Sequence, residues 1–68
     1  MNTLDLKSRE IEAYNFGWYY GETCKILEHE VDETKGEQEC KDLVRNLNAQ
    51  QREAILALFW QGFAEAEI

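Results

Sequence analysis

Seven consecutive apolar residues, Ala54-Ile55-Leu56-Ala57-Leu58-Phe59-Trp60, lie within a segment of helical character, and they constrain this chain more than any other feature. Seven successive positions occupy most of a helix's circumference, whereas one core-facing stripe is about 100° wide. Here Ile55, Leu58, Phe59, Gly62 and Ala66 form one stripe. Leu56, Phe59, Trp60 and Phe63 form an adjoining one, so the apolar arc covers roughly 200°. A chain of 68 residues has little other structure to lay over such a helix, and it lies near the lower limit at which a core offsets chain entropy. The excess needs a second surface, and something outside one copy of the chain is expected to cover part of it.

The fold class expected is all-α. Proline is absent, there are only 4 glycines, and no stretch alternates apolar and polar positions with β-branched residues. The hydrophobic fraction of 44% and charged fraction of 31% are those of a packed domain rather than a disordered tail. Residues 1–68 read as a single helical domain: a long helix over about 5–32, a turn over about 33–36, a short helix over about 37–47 and a third over about 49–66.

Thr3 or Asp5 is placed to cap the first helix. At 100° per residue, Leu6, Ala13, Phe16, Gly17, Tyr20, Cys24, Leu27 and Val31 gather into one stripe, the expected intramolecular face. Leu4, Ile11 and Trp18, spaced by sevens with Tyr14 beside them, form a second row pointing elsewhere. Gly17 and Gly21, four apart, either admit a neighbouring helix or ring close to the backbone or are merely tolerated. Gly36 ends the acidic turn and suits a left-handed conformation. The middle helix would present Cys40, Leu43, Val44 and Leu47. Asn48 caps the third helix, with Gln51 three residues on to return the hydrogen bond. Asn46 and Asn48 favour a break over a continuous second and third helix, which would give a two-helix hairpin.

The unburied rows point to association. Leu4, Ile11, Tyr14 and Trp18 on the first helix, with Leu56, Trp60 and Phe63 on the third, compose the expected partner interface of a homodimer, because aromatic anchors dominate such contacts. The alternative is that these aromatics fold over one another within one copy.

No residue set identifies a reaction. Cys24, His29 and Cys40 are the only soft metal ligands and lack the paired spacing of a zinc site, so neither metal nor cofactor is expected. Glu28 and His29 are adjacent and do not form the Glu-x-x-His pattern of di-metal bundles. Ser8 is the single serine, flanked by Arg9 and Glu10, and no nucleophile stands with a base. If the chain reverses near residues 34–36, Cys24 and Cys40 are offset by roughly 8 Å along the helices, too far for a disulfide, and two reduced buried thiols are expected.

With a net charge of -7, phosphate backbones are disfavoured as direct partners. No run of about 20 apolar residues and no leader pattern occurs, so a cytoplasmic protein without membrane contact is expected. The acids crowd one region: Glu28, Glu30, Asp32, Glu33, Glu37, Glu39 and Asp42, opposed by Lys35 and Lys41. They read either as a solvated turn or as an acidic surface that docks on a basic protein, in the manner of a nucleic-acid mimic.

The segment Leu47-Asn48-Ala49-Gln50-Gln51-Arg52-Glu53-Ala54-Ile55-Leu56, followed by Gly62-Phe63-Ala64-Glu65-Ala66-Glu67-Ile68, resembles the opening of the DNA-binding region of bacterial sigma factors. It covers about a third of the chain. The turn and recognition helix that such a family places in the major groove are not among these residues. The resemblance implies a DNA-binding module related to a helix-turn-helix, which would need a basic face that the sequence lacks. The leading expectation is therefore a small acidic regulator or accessory protein, of the kind phages and other mobile elements encode, acting on itself and on an unidentified protein partner.

Overall fold

The computed structural model describes residues 5–28 and 30–66. Among them the order is α1 (Leu6–Leu27), α2 (Lys35–Glu39) and α3 (Ala49–Ala66), with no strand. Local chemistry sets most of the helix ends. The Asp5 carboxylate accepts the Ser8 N–H at 2.7 Å and caps α1. Asn48 and Gln51 form the reciprocal box: Gln51 N–H donates to Asn48 Oδ1 at 2.8 Å, and Asn48 N–H donates to Gln51 Oε1 at 3.2 Å. At the far end of α3, Lys25 reaches across from α1 to the Ala66 carbonyl at 3.0 Å, satisfying an orphan acceptor with a cation.

The long helix packs against the third, and the two run in the same direction. A Cβ built on Gly17 would lie 1.7 Å from the Phe59 carbonyl oxygen. One on Gly21 would meet Phe63 O and Ala66 Cβ, both at 2.8 Å, and one on Gly62 would lie 2.2 Å from Tyr14 O. From Gly17–Phe59 through Gly21–Phe63 to Lys25–Ala66, residue numbers on the two helices rise together along the contact. Gly17 and Gly21 are close-packing positions, one of the two readings open from sequence. Their missing side chains bring backbone against backbone, where Cα–H groups approach carbonyl oxygens.

A parallel pair requires the chain to return between α1 and α3, and residues 28–48 make that journey. The first helix is expected to reach about residue 32, but it stops at Leu27. Glu28 takes the left-handed conformation (φ 56°) and donates its N–H to the Cys24 carbonyl. The early stop lets the chain fold back so that Asp32 N–H donates to the Tyr20 hydroxyl at 2.8 Å. Gly36, expected to turn the chain in the left-handed region, sits instead inside α2, and no described glycine has positive φ. It is small for another reason: a Cβ there would stand 2.9 Å from the Trp60 indole nitrogen.

The middle helix expected over about 37–47 is shorter and earlier. Only Lys35–Glu39 is α-helical, and residues 40–46 form successive turns that end with Asn46 at φ 66°. The expected inward residues still point inward: Cys40 and Leu43 are buried, Val44 and Leu47 half-buried. Arg9 explains how turns can replace helix here. Its buried guanidinium donates to the carbonyls of Arg45 at 3.0 Å and Leu43 at 3.4 Å, supplying donors that a continued helix would have provided.

The core consists of Ala13, Cys40, Leu43, Ile55 and Phe59, one residue from α1, two from the return and two from α3. The expected face of α1 needs trimming at its ends. Ala13, Gly17 and Cys24 are buried and Phe16 and Tyr20 half-buried, but Leu6, Leu27 and Val31 are exposed because the partner elements do not extend over them.

Candidate interaction surfaces

The residues expected to form one partner interface fall on two sides of the α1–α3 pair. Trp60 and Phe63 are half-buried and stack around Tyr20, with ring centroids 6.3 and 5.4 Å away. Trp60 also packs edge-on to Phe59 and Phe63, and against Gly36 of the return. Leu56 packs on the same core. Within the same molecule, Gly36 of the return segment packs on Trp60, and Phe63 is met by Tyr20 of α1, while Leu56, Trp60 and Phe63 all stay half-buried.

Ile11, Tyr14 and Trp18 occupy the opposite flank. Ile11 is 55% and Trp18 39% exposed. A shallow depression of about 290 Å³ is lined there by Lys7, Glu10, Ile11, Tyr14 and Leu58. Tyr14 is half-buried and donates its hydroxyl proton to the Glu65 carboxylate. That bond raises the Tyr14 pKa above its ordinary range and lowers that of Glu65, which also accepts from Gln61 at 3.2 Å. Leu4, the remaining member of the row, lies outside the described residues.

The seven acids Glu28, Glu30, Asp32, Glu33, Glu37, Glu39 and Asp42 are all exposed. Glu39 pairs with Lys35 at 3.3 Å and Asp42 with Arg45 at 2.9 Å, both one helical turn apart in sequence. Asp32 is built more firmly. Its Oδ1 accepts from both the N–H and the hydroxyl of Thr34, at 2.9 and 2.8 Å, which lowers its pKa.

Both cysteines are buried free thiols, and burial pushes Cys40 up to about 11. His29, the third soft ligand considered, lies outside the described residues. Among those residues no group of three or more His, Cys, Asp or Glu is placed to hold a metal ion. No described helix is long and apolar enough to cross a membrane.

Two features escaped the sequence reading. Arg9 continues the row Ala13–Gly17–Gly21 at a spacing of four, a signal that was available but hidden by its charge. The groove between Tyr19, Tyr20 and the returning acids had no local signal, because it depends on where residues 30–39 fold back.

No protein-family model matches this chain, and no curated protein or solved structure matches it either.

Proposed function

We propose that this protein is a small non-enzymatic regulator or accessory protein that acts through protein–protein contact, as a homodimer and on a further protein partner in the cytoplasm. The observation that supports this reading is the uncovered apolar flank of α1, where Ile11 and Trp18 stand exposed and Ile11 lines a depression with Tyr14 and Leu58. Exposed aromatic and branched side chains around a shallow apolar hollow are the chemistry of a contact surface. The interface is centred on Ile11, Tyr14, Trp18 and Leu58, and Leu56, Trp60 and Phe63 are assigned to the fold.

Analytical ultracentrifugation of the wild type and of Ile11→Asp and Trp18→Ala tests the reading. A concentration-dependent dimer that both variants convert to monomer, with the helical circular dichroism intact, is the expected result. A wild type that stays monomeric at high concentration removes the homodimer. Trp60→Ala is the contrast: it is expected to lower the melting temperature rather than act on association alone.

The exposure of all seven acids from Glu28 to Asp42 favours a second reading, an acidic surface that antagonises a DNA-binding protein. Partner binding through that surface should weaken steeply as salt rises. A captured complex that survives high salt excludes it.

A further inference from the structure

An open groove of about 660 Å³ lies between α1 and residues 30–39, on a different face from the Ile11–Trp18 flank. Its wall on α1 combines the three rings of Phe16, Tyr19 and Tyr20 with Thr23 and Cys24. Tyr19 is 66% exposed, while Tyr20 is held in place by its contacts with Phe59 and Phe63 and by the Asp32 N–H. Among the described residues, the opposite rim carries three carboxylates, Glu30, Asp32 and Glu39, against one ammonium, Lys35. The volume is that of a small-molecule site. Aromatic faces and unbalanced carboxylates on facing walls select for an organic cation, since the ring quadrupole and the acids attract positive charge while the rings cover an apolar stem.

The chain already shows this selectivity. Lys35 Nζ lies 5.7 Å from the Tyr20 ring centroid and 3.3 Å from Glu39 Oε2, so an ammonium belonging to the protein sits between a ring and an acid of the groove. One ammonium leaves the rim net negative. The Asp32 carboxylate is pre-oriented by Thr34, so little ordering is needed to present it.

We propose that this groove binds a small organic cation, a primary ammonium on an aromatic or aliphatic stem, with the stem against Phe16 and Tyr19 and the charge among Glu30, Asp32 and Glu39. Lys35 is then the internal competitor that an incoming ligand displaces.

The test is an NMR titration of the full chain with phenethylammonium chloride, alongside its neutral isostere 2-phenylethanol and a blocked Gly-Arg-Gly peptide. The amine should shift amide resonances within residues 16–24 and 30–39 and bind about tenfold more tightly than the alcohol. Glu30→Gln with Glu39→Gln should bring the two near parity, and Lys35→Met should tighten the amine several-fold. The glutamate variants carry the test even if the Lys35 change disturbs α2, because both side chains are exposed. Equal binding of amine and alcohol overturns the proposal, as does the absence of shifts up to about 10 mM amine. Tighter binding of the peptide than of the amine overturns it as well, assigning the groove to a partner's side chain.

Discussion

Replacing Gly17 by alanine tests the central contact of the fold. At an open helical position this change stabilises by roughly 1 kcal/mol, because alanine is the better helix former. At Gly17 the new methyl would stand 1.7 Å from the Phe59 carbonyl oxygen and 2.6 Å from its carbon. Both obstacles are backbone, so no rotamer change relieves them. Restoring ordinary contact moves α3 away by about 1.5–2 Å, and a gap of even 0.5–1 Å forfeits a quarter to a half of each dispersion contact along the seam. Overpacking of this kind costs up to about 3 kcal/mol or more, which leaves a net loss of about 2–3 kcal/mol after the propensity gain.

A domain of this size holds about 3–10 kcal/mol in all. The loss is thus a large share of the total, and the melting temperature should fall by about 10–20 °C. Urea and thermal melts followed by far-UV circular dichroism measure it. Gly36→Ala serves as the comparison, because its added methyl meets the Trp60 indole, a side chain that can shift, with Nε1 at 2.9 Å. Its loss should be about 1 kcal/mol or less. A Gly17→Ala midpoint equal to or above the wild type would mean that α1 and α3 do not approach backbone to backbone, and the parallel pairing would fall with it.

Other perturbations read other parts of the molecule. Arg9→Ala removes the donor to the Leu43 and Arg45 carbonyls and should cost about 2–3 kcal/mol in urea melts; Arg9→Lys should rescue little, since an ammonium lacks the planar fork, and full rescue would refute the clamp. Asn48→Ala should cost about 1 kcal/mol and Asn48→Asp much less, measured the same way, with equal losses refuting the cap. Because burial pushes Cys40 up to about 11, its thiolate fraction at pH 8 is about 0.1%, and iodoacetamide should label it at least about 100-fold more slowly in the folded than in the unfolded chain, read by mass spectrometry. The Tyr14–Glu65 bond fixes a pH window. Glu65 is lowered from 4.5, so its contribution is present above that value and lost as pH falls through the folded pKa. Tyr14 is raised from 10.0, so its contribution is present below that value and lost as pH rises through the folded pKa. Tyr14→Phe should therefore be less stable than the wild type between about pH 4.5 and 10 and converge with it at both extremes, and parallel stability profiles would refute the bond.

Features written in neighbouring residues were legible in the sequence. Asn48 and Gln51 form their box because both partners lie within one turn, and Asp5 caps for the same reason. The inward positions Cys40 and Leu43 were also legible, since apolar spacing marks burial whether the backbone is helix or turns. What was not legible depends on residues far apart. The end of α1 at Glu28 is accompanied by the Asp32–Tyr20 bond, and the turns in place of a middle helix by Arg9, 34 residues from one of its acceptors. Gly36 matters for a property other than the expected turn: its lack of a side chain accommodates Trp60, and its backbone freedom goes unused.

The apolar arc of α3 and the parallel pairing account for each other. Had α3 run antiparallel to α1 after a tight turn, no long connection would pass back along the pair to lie against Leu56 and Trp60. Running parallel, α1 takes the stripe centred on Ile55, Phe59 and Gly62, and the segment that must travel back from the end of α1 to the start of α3 lies against Leu56 and Trp60 of the adjoining stripe. The cost of this arrangement falls on α1. Its seam with α3 is made of glycine and alanine, which bring the backbones close but bury little side chain, and its larger residues are pushed to the flanks. Surface left for a partner is therefore expected chiefly on α1, at Ile11 and Trp18, with Leu58 the contribution of the more apolar helix.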